Sequence, residues 1–355
     1  MLDYIIVGSG LAGIAFSEFA CNNNKSFVVI NNQSQNSSKI AGGLYNPVIL
    51  KRFSEVWQAQ EQLDLLYSFY GNIEKKLGVK LDYRLPLLRK FYSVEEQNNW
   101  FTASDKPNLS KFLSTDLVTK NWDAIDSPFN FGEVLHSGYL DTALLLEEYK
   151  KHLISKNCYE EETFDYAQLN INAEYVEYKN IKAKNIVFAE GFGMLLNPFF
   201  SKLPLDGTKG ELLLIKAPNL HLDVIVKSSV FIIPLGNDLY KVGATYNWED
   251  KTNVPTEAAK KELVDNLSEL INCDFEIIEH YAGVRPTVKD RRPLVGSHPI
   301  HKNIHVLNGL GTRGVMLAPA MALALFNNIE NSIPLDKNID IIRIKNFVSS
   351  FYQSE

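Results

Sequence analysis

The stretch DYIIVGSGLAG at residues 3–13 joins a short β-branched run to three closely spaced glycines. A helix-like segment follows to about residue 22, and a second apolar run at residues 26–30 predicts a second strand. Neither run alternates apolar with polar residues, which is typical of parallel strands that are covered on both faces. The N-terminus is therefore predicted to be a βαβ unit with glycines in its first turn.

The glycine spacing is that of a dinucleotide-binding turn, whose candidate contacts are Gly8, Gly10, Leu11, Ala12 and Gly13. Gly8 permits the tight turn, Gly10 lets a pyrophosphate approach the backbone, and Gly13 lets helix and strand pack closely. Free N–H groups and the positive helix end then hold the phosphates. Because the pattern alone is short and common, its position between a strand and a helix is what favours binding over an incidental turn.

The second predicted strand ends without the carboxylate that usually accepts from an adenosine ribose. Asn31 and Asn32 stand there, about 20 residues after the glycines. An asparagine carbonyl still accepts a hydroxyl hydrogen bond, but a charged acceptor makes a bond roughly twice as strong. We expect both asparagines at the ribose, with the nucleotide held less tightly or in a different way.

The rest of the chain predicts a second domain inserted into the first. A length of 355 residues allows two domains, because single cores stop growing beyond about 250–300 residues. A long amphipathic helix is expected from residue 54 to about 77, and a helix capped by Asp141 follows later. Strands at 211–215, 224–226, 229–233 and 239–244, with a helix at 256–271, suggest an antiparallel sheet. Apolar strands at 185–189 and 304–307 return to the first sheet.

Composition and charge disfavour several classes of protein. With 45% hydrophobic and 22% charged residues, the chain resembles ordinary soluble globular proteins. A net charge of −6 supplies no overall positive field, so nucleic acid is an unlikely partner. Cys21, Cys158 and Cys273 are far apart and lack metal-ligand spacing, so we expect buried core thiols and no metal site. The absence of a basic leader and of an apolar run of about 20 residues predicts a cytoplasmic protein without a membrane span.

Four stretches carry a family resemblance: DYIIVGSGLAG at 3–13, SSKIAGGLYNP from residue 37, AGVRPTVKDRRPLVG from residue 282, and NGLGTRG at 308–314. In order and spacing they resemble the D-amino-acid-oxidase-like (DAO) superfamily of FAD enzymes, which includes glycine oxidase and sarcosine oxidase. The resemblance spans nearly the whole chain, and the last two motifs make it specific. It implies an α/β protein with a Rossmann-like FAD-binding domain around a central parallel sheet, and a second, mostly antiparallel α+β substrate domain.

The resemblance also implies domain limits and the mode of flavin binding. The FAD-binding domain is expected to be discontinuous, at residues 1–55, 138–200 and 284–355, and the substrate domain at 56–137 and 201–283. In relatives with covalent flavin the attached cysteine lies near the last domain segment. Cys273 precedes the arginine motif instead, so non-covalent FAD is expected.

In the family arrangement NGLGTRG curls under the isoalloxazine ring. Its glycines let the backbone approach the flat ring, and the amides of Gly314, Val315 and Met316 point at the flavin C2 carbonyl and N1. Negative charge grows there on reduction, so the loop makes the flavin a better electron acceptor. The segment after Ser37 matches the one against the pyrophosphate and the other ring edge, and residues 189–191 loosely resemble the turn over the adenosine half. The implied contacts are Ser38, Lys39, Ala41, Gly42, Gly43, Leu44, Ala189, Glu190, Gly191, Gly309, Gly311, Thr312, Arg313, Gly314, Val315 and Met316.

Arg285 in Gly-Val-Arg-Pro matches the family arginine that binds the carboxylate of an amino acid substrate. Its planar guanidinium gives a bidentate contact that orients the α-carbon toward flavin N5. The alternative role for Arg285 is an interdomain salt bridge. Arg313 lies beside the ring in the same scheme, where it assists catalysis or only anchors its loop.

One position departs from the family pattern. Family amine oxidases often place a tyrosine three residues before a proline of the substrate domain, and Phe231 stands there, before Pro234. Tyr45, Tyr240 or Tyr246 would have to supply the missing hydroxyl, although each of these tyrosines also fits a packing role. The departure suggests a bulkier amine, an N-substituted amino acid, or another substrate that is not glycine.

These features predict an FAD-dependent amine or amino-acid oxidase or dehydrogenase. The C–N bond would be oxidised by hydride transfer to flavin N5, with oxygen or another acceptor taking the electrons, and no strong general base is needed. One alternative is an oxidase that removes the carboxymethyl group of a carboxymethylaminomethyl uridine in tRNA, since GGLYNP and GLGTRG resemble that enzyme's oxidase domain too. Others are a 2-hydroxy acid oxidase of the same fold and a flavin-binding protein without turnover.

Overall fold

The computed structural model describes residues 1–120 and 122–351, which form two large eight-stranded sheets, two small sheets and the helices around them. The helices are α1 (Leu11–Asn22), α2 (Ser37–Ile40), α3 (Ala59–Leu77), α4 (Val94–Ser104), α5 (Thr142–Ser155), α6 (Glu257–Ser268), α7 (Gly314–Asn331) and α8 (Lys345–Ser349). None of the helices in these ranges is long and apolar enough to cross a bilayer.

The strands, in chain order, are β1 (Leu2–Val7), β2 (Phe27–Ile30), β3 (Leu44–Tyr45), β4 (Val48–Ile49), β5 (Ser54–Glu55), β6 (Asp82–Tyr83), β7 (Leu87–Lys90), β8 (Leu113–Val118), β9 (Phe131–Val134), β10 (Gly138–Leu140), β11 (Tyr159–Glu160), β12 (Leu169–Ile171), β13 (Val176–Tyr178), β14 (Ile181–Phe188), β15 (Leu205–Lys216), β16 (Ile225–Lys227), β17 (Phe231–Gly236), β18 (Leu239–Gly243), β19 (Glu276–Val288), β20 (Leu294–Ser297) and β21 (Ile304–Asn308).

The first large sheet is parallel at its centre, as the N-terminal pattern predicted. Its order is β11-β2-β1-β14-β13-β12, with β21 pairing with β14 and β20 with β21. Strands β2, β1, β14 and β21 run in one direction, and Val7 pairs with Ile30 on one side and Phe188 on the other. Their carboxyl ends therefore meet at one edge of the sheet, which is where α/β proteins bind ligands.

The second large sheet is mostly antiparallel, with the order β19-β15-β18-β17-β16-β7-β9-β8. Only the pair β16–β7 is parallel. Strand β15 begins six residues before the predicted start at 211, because residues from Leu205 onward pair with β19. Strand β19 runs on to Val288, so the predicted limit between 283 and 284 falls inside a strand of this sheet. The division of the chain into domains stays a prediction.

Helix α3 begins later than its apolar periodicity predicted. Residues 54 and 55 form strand β5, which pairs with β4 in a short hairpin, and Gln58 adopts a left-handed backbone at φ 48°. The helix therefore starts at Ala59 rather than at Ser54. It ends at Leu77 and is capped by Gly78, whose φ of 70° suits a glycine. The expected cap on α5 is confirmed, since Asp141 accepts a hydrogen bond from the Leu144 amide at 3.0 Å.

Three hydrophobic cores hold these layers together. Alternate residues of β1 enter different cores: Tyr4 and Ile6 join the first, and Ile5 and Val7 join the second. This double burial explains why the strand is a continuous apolar run. The first core continues through α1, α3 and α7 to Ile233 in the second sheet. The third core covers the other face of that sheet.

The cysteines are less buried than predicted. Cys21 is exposed at the last turn of α1, and Cys158 and Cys273 are half-buried at the margins of the cores. All three thiols are free. The expectation of buried core thiols is therefore wrong for Cys21, which is exposed one residue before the end of α1.

Candidate functional site

The carboxyl ends of β1, β2 and β14 open into a cleft of about 900 Å³, near the upper end of the size range of small-molecule pockets. The opposite wall of the cleft is a face of the second sheet, represented by Leu212, Phe231 and Arg285. The cleft therefore lies between the two sheets, and the predicted site residues can be placed relative to it.

The N-terminal glycine turn leaves no room for a side chain at Gly8 or Gly13. An ideal Cβ at Gly8 would lie 2.4 Å from the Ala189 carbonyl oxygen, and one at Gly13 would lie 1.9 Å from the Gly8 carbonyl oxygen. Gly8, Gly10, Leu11 and Ala12 line the cleft, whereas Gly13 lies behind them and packs α1 against the turn. The first turn of α1 contains no acidic side chain that would offset the positive charge at this helix end, and of its N–H groups that of Leu11 donates to the Ser38 hydroxyl.

Asn31 and Asn32 both line the cleft at the end of β2. The Asn31 side-chain amide donates to the Tyr159 hydroxyl at 3.2 Å, which orients its carbonyl oxygen as an acceptor. Asn32 instead uses its carbonyl oxygen to accept from the Ser34 amide at 3.0 Å. Of the two, Asn31 has the geometry to accept from a ribose hydroxyl.

The segment Ser38–Leu44 lies along the same cleft, and each of its predicted contacts lines it. The Ser38 hydroxyl accepts from the Leu11 amide at 3.3 Å, which ties this segment to the start of α1. Gly42 lies against the Phe231 ring, where an added Cβ would approach the ring to 2.8 Å. Gly42 therefore keeps the two walls close together.

The loop NGLGTRG forms the turn from β21 to α7. Gly309 and Gly311 have φ of 73° and 55°, and residues 310–315 line the cleft. Gly309 and Met316, both predicted to contact the cofactor, do not line it. Gly309 packs against Val288 and Leu294, and the Met316 side chain is buried in the first core. Contact of Gly309 and of the Met316 amide with the cofactor therefore stays a prediction.

Ala189, Glu190 and Gly191 line the cleft after β14. The Glu190 carboxylate accepts from the Asn197 side-chain amide at 2.7 Å and from the Tyr166 hydroxyl. Burial raises the pKa of Glu190, and these two hydrogen bonds oppose that effect. Gly191 has φ 56° and accepts from the Asn308 side chain at 2.8 Å, which links the two turns.

Arg285 projects from β19 across Gly210, where an ideal Cβ would lie only 1.8 Å from its Nη2. Its Nη1 donates to the Thr245 carbonyl oxygen at 3.2 Å, and its Cζ lies 4.7 Å from the centre of the Tyr246 ring. Within residues 1–120 and 122–351, no carboxylate lies within 4.0 Å of this guanidinium. Burial lowers the pKa of Arg285, yet arginine keeps its charge.

Arg313 stands at the N-cap of α7 and donates from Nη1 to the Asn46 carbonyl oxygen at 3.1 Å. It too forms no salt bridge in the described part of the chain. Burial lowers the pKa of Arg313 to about 10, and nearby Arg291 acts in the same direction. The cleft wall thus carries two guanidinium groups whose charge is not compensated by a carboxylate.

The candidate tyrosines occupy different environments. Tyr246 lines the cleft under Arg285 and is 62% exposed. Tyr240 lies outside the cleft, since its ring is in the third core and its hydroxyl accepts from the Leu222 amide at 3.3 Å. The prediction for Tyr240 is therefore corrected. Tyr45 is buried, and its hydroxyl donates to the Asp82 carboxylate at 2.6 Å.

Sequence reasoning missed Gly210 and Lys227, which line the cleft, and Lys241, which contacts a lining residue. Gly210 provides the flat surface for Arg285, Lys227 lines the far end, and Lys241 donates to the Ala41 carbonyl oxygen at 3.4 Å. Only the pairing of strands β15 to β18 brings them together. No local sequence pattern marks them, because their proximity depends on the register of the sheet.

The cleft as a whole fits a dinucleotide. One end has a glycine turn and free helix N–H groups suited to a pyrophosphate, and an asparagine acceptor lies nearby for a ribose. The other end has a second glycine turn at the start of α7 and an apolar wall around Phe231, which suits a flat ring. Among the residues described, no group of three or more His, Cys, Asp or Glu side chains is arranged to hold a metal ion.

Comparison with known proteins agrees with this geometry. The family model DAO, described as FAD dependent oxidoreductase, matches residues 3–327. Glycine oxidase of Geobacillus kaustophilus has a similar structure, with a TM-score of 0.77 at 18% identity, covering 95% of this chain and 96% of that one.

Two curated relatives match over shorter lengths. Glycine oxidase of Pseudomonas aeruginosa is 26% identical over 160 residues, which covers 44% of each protein. The tRNA 5-methylaminomethyl-2-thiouridine biosynthesis bifunctional protein MnmC of Campylobacter jejuni is 24% identical over 204 residues, covering 53% of this chain and 32% of the relative. The matched part is thus less than half the length of either relative.

Proposed function

From the premise that this chain belongs to the DAO family of FAD dependent oxidoreductases, and so is an enzyme that uses FAD, we propose that it oxidises the C–N bond of an amine that carries a carboxylate. The observation that carries the proposal is Arg285. A half-buried guanidinium that faces a cleft without a carboxylate partner in the described chain is a site for an anion from outside.

We propose a task for each residue around this anion. Thr245 and Gly210 fix Arg285 from behind, so its remaining N–H groups project into the cleft as a fork for one carboxylate. The Tyr246 ring covers one face of the guanidinium and restricts its position. The substrate is thereby fixed at one end, which orients its amine-bearing carbon.

Apolar residues would exclude water from the centre of the cleft. Phe231 and Leu212 line it beside Gly42, and no histidine lines the described cleft. FAD supplies the two-electron oxidant when bound, so the chain's own contribution is orientation, charge and shape. Arg313 holds the turn before α7 against Asn46 and adds positive charge at that end of the cleft. We propose that the flavin is bound non-covalently.

Anaerobic flavin reduction tests the proposal directly. The purified protein, loaded with FAD, is mixed with D-amino acids, glycine, N-methyl amino acids, proline and 2-hydroxy acids, and bleaching of the flavin absorbance is recorded. We expect an amino acid or N-substituted amino acid to bleach the flavin. Bleaching by 2-hydroxy acids alone would indicate a 2-hydroxy acid oxidase instead. A protein that takes up no FAD would refute both the amine oxidase and the 2-hydroxy acid oxidase.

The first variant to test is Arg285→Met, which removes the charge and retains the length of the side chain. A lost charge-assisted hydrogen bond costs about 1.5–3 kcal/mol, so we expect the substrate concentration for half-maximal bleaching to rise roughly 10- to 100-fold. The FAD absorbance should not change. Arg84→Met, which removes an exposed arginine outside the cleft, is the matched control. Unchanged bleaching in Arg285→Met would contradict the carboxylate assignment.

A second candidate substrate is a carboxymethylaminomethyl uridine in tRNA. Two exposed aromatic residues favour it, because Tyr246 at the cleft and Trp248 two residues later are 62% and 52% exposed and offer rings on which a base can stack. The net charge of −6 opposes it. A gel shift with tRNA that disappears at moderate salt would support this substrate, and no shift at low salt would remove it.

A further inference from the structure

Lys227 stands at the end of β16 and lines the cleft. Its ammonium group donates to the Ser229 carbonyl oxygen at 3.1 Å. Within the described ranges it has no salt-bridge partner, since no Asp or Glu oxygen lies within 4.0 Å. The site described so far leaves this half-buried cation without a role.

The charged groups around Lys227 do not neutralise it, so the cleft here would bind an anion favourably. On the neighbouring strand β7, Arg89 pairs with Lys227 in register, and Glu96 neutralises Arg89 at 2.7 Å. Burial, with a smaller effect from Arg89, lowers the pKa of Lys227 to about 8. The exposed Lys51, in the turn between β4 and β5, lines the same cleft and adds a second positive charge.

Lys227 and Arg285 lie at different positions on one wall. Leu212, Gly243, Phe231 and Lys227 form a single row across four paired strands, and Gly210, which supports Arg285, lies two residues from Leu212. With strands about 4.8 Å apart, the Cα atoms of Gly210 and Lys227 are roughly 15 Å apart. The two long side chains shorten this span, and the apolar Phe231 lies between them.

We propose that Lys227 binds a second anionic group of the substrate, a carboxylate or a phosphate, so that the enzyme prefers amino acids or N-substituted amino acids with an anion at each end. This inference rests on the proposed function, in which Arg285 takes the first carboxylate. A ligand with two anions pairs with both cations, whereas a monocarboxylate leaves Lys227 unpaired.

Calorimetric titration of the FAD-loaded protein with unreactive ligands tests the inference without turnover. Dicarboxylates from succinate to suberate are compared with monocarboxylates of equal chain length. We expect at least a tenfold preference for the dicarboxylate at one chain length. Lys227→Met should abolish this preference and leave monocarboxylate binding unchanged, whereas Lys227→Arg should retain it. Lys216→Met, at an exposed position outside the cleft, is the matched control and should change neither affinity.

Equal affinity for both ligand series in the unchanged protein would overturn the inference, as would a preference that survives in Lys227→Met. A phosphonocarboxylate series separates the two anions: tighter binding than the dicarboxylates indicates a phosphate, and weaker binding indicates a carboxylate. Arg285→Met should weaken both ligand series. If it weakens neither, the carboxylate role of Arg285 fails, while the comparison at Lys227 still decides the second anion.

Discussion

At Gly210 the absence of a side chain lets Arg285 lie flat against β15. A Cβ there would stand 1.8 Å from Nη2 and 2.0 Å from Cζ, so the guanidinium must move if one is added. We expect Gly210→Ala to weaken carboxylate binding at least tenfold, because the displaced fork can no longer make both bonds. The FAD absorbance should stay unchanged, and calorimetry with a monocarboxylate measures the effect.

The control for this variant is Gly71→Ala in α3, where an added Cβ meets no atom within 4 Å. It should leave binding unchanged and raise helix stability by about 0.5–1 kcal/mol. Full carboxylate affinity in Gly210→Ala would show that Arg285 binds from a different position than the one described.

Gly13 controls the other end of the cleft. Its Cβ would lie 1.9 Å from the Gly8 carbonyl oxygen, so Gly13→Ala must push α1 away from the turn that faces the pyrophosphate. We expect at least a tenfold weaker affinity for FAD, measured by titration of the apoprotein and flavin fluorescence. Gly71→Ala again serves as the control. An unchanged FAD affinity would mean that the turn tolerates the shift and does not bind the phosphates closely.

At the scale of elements, β21 carries His305 into the interior of the first sheet. Its ring nitrogens contact the Ser297 hydroxyl at 2.8 Å and the Asn185 side-chain oxygen at 3.1 Å. Burial lowers the pKa of His305 from 6.5 to about 3. Between these values the unfolded chain binds a proton that the folded chain does not, so stability is fully present above pH 6.5 and decreases as the pH falls.

Urea unfolding at several pH values measures this effect. His305 should contribute about 1.4 kcal/mol of lost unfolding free energy per pH unit below 6.5, and His298, with its pKa lowered to about 4 mainly by burial, acts in the same direction. His305→Gln should reduce the slope, whereas His221→Gln, at an exposed position, should not. An equal slope in His305→Gln and the unchanged protein would contradict the burial argument.

At the scale of the whole molecule, the first core joins both sheets and should make them unfold together. It contains Tyr4 and Ile6 of the first sheet as well as Leu87 and Ile233 of the second. Trp100 and Trp57 pack in or against this first core and Trp122 in the third, so tryptophan fluorescence reports the packing of these cores. Far-UV circular dichroism reports all helices and strands.

We expect both signals to show the same urea midpoint, and FAD at 100 times its dissociation constant to raise the unfolding free energy for both by about 2.7 kcal/mol. Two separate midpoints would show that the sheets unfold independently and that the shared core is weak.

The parts of this molecule that the sequence predicted are those determined by neighbouring residues. The βαβ unit, the glycine turn and the capped α5 each follow from a few consecutive positions, and the structure has them. Tyr240 was misplaced because the sequence alone does not show which residues of a strand point to which face of the sheet. Lys241 faces the cleft side and reaches Ala41, so its neighbour Tyr240 must point to the opposite face. The start of α3 was misplaced because the helical spacing of apolar residues begins before Gln58, whereas the left-handed backbone at Gln58 delays the helix to Ala59.

The far wall of the cleft could not be predicted in the same way. Seventy-four residues lie between Gly210 and Arg285 in the chain, and only the register of β15 with β19 brings the two together. Lys227 enters the same wall through three further strand pairings, β15 with β18, β18 with β17, and β17 with β16. Such contacts depend on the register of a sheet, which one sequence leaves open.

The positive cleft lies inside a protein of net charge −6, and this contrast has a consequence for the kinetics of ligand capture. At physiological ionic strength the Debye length is about 8 Å, so a small anion meets repulsion from the surface before it reaches Arg285 or Lys227. Zwitterions pass this outer field with little penalty, and dianions are slowed by it. Selectivity for doubly charged ligands would therefore come from a slow dissociation rate rather than a fast association rate. Each bound ligand would then stay in the cleft for a long time.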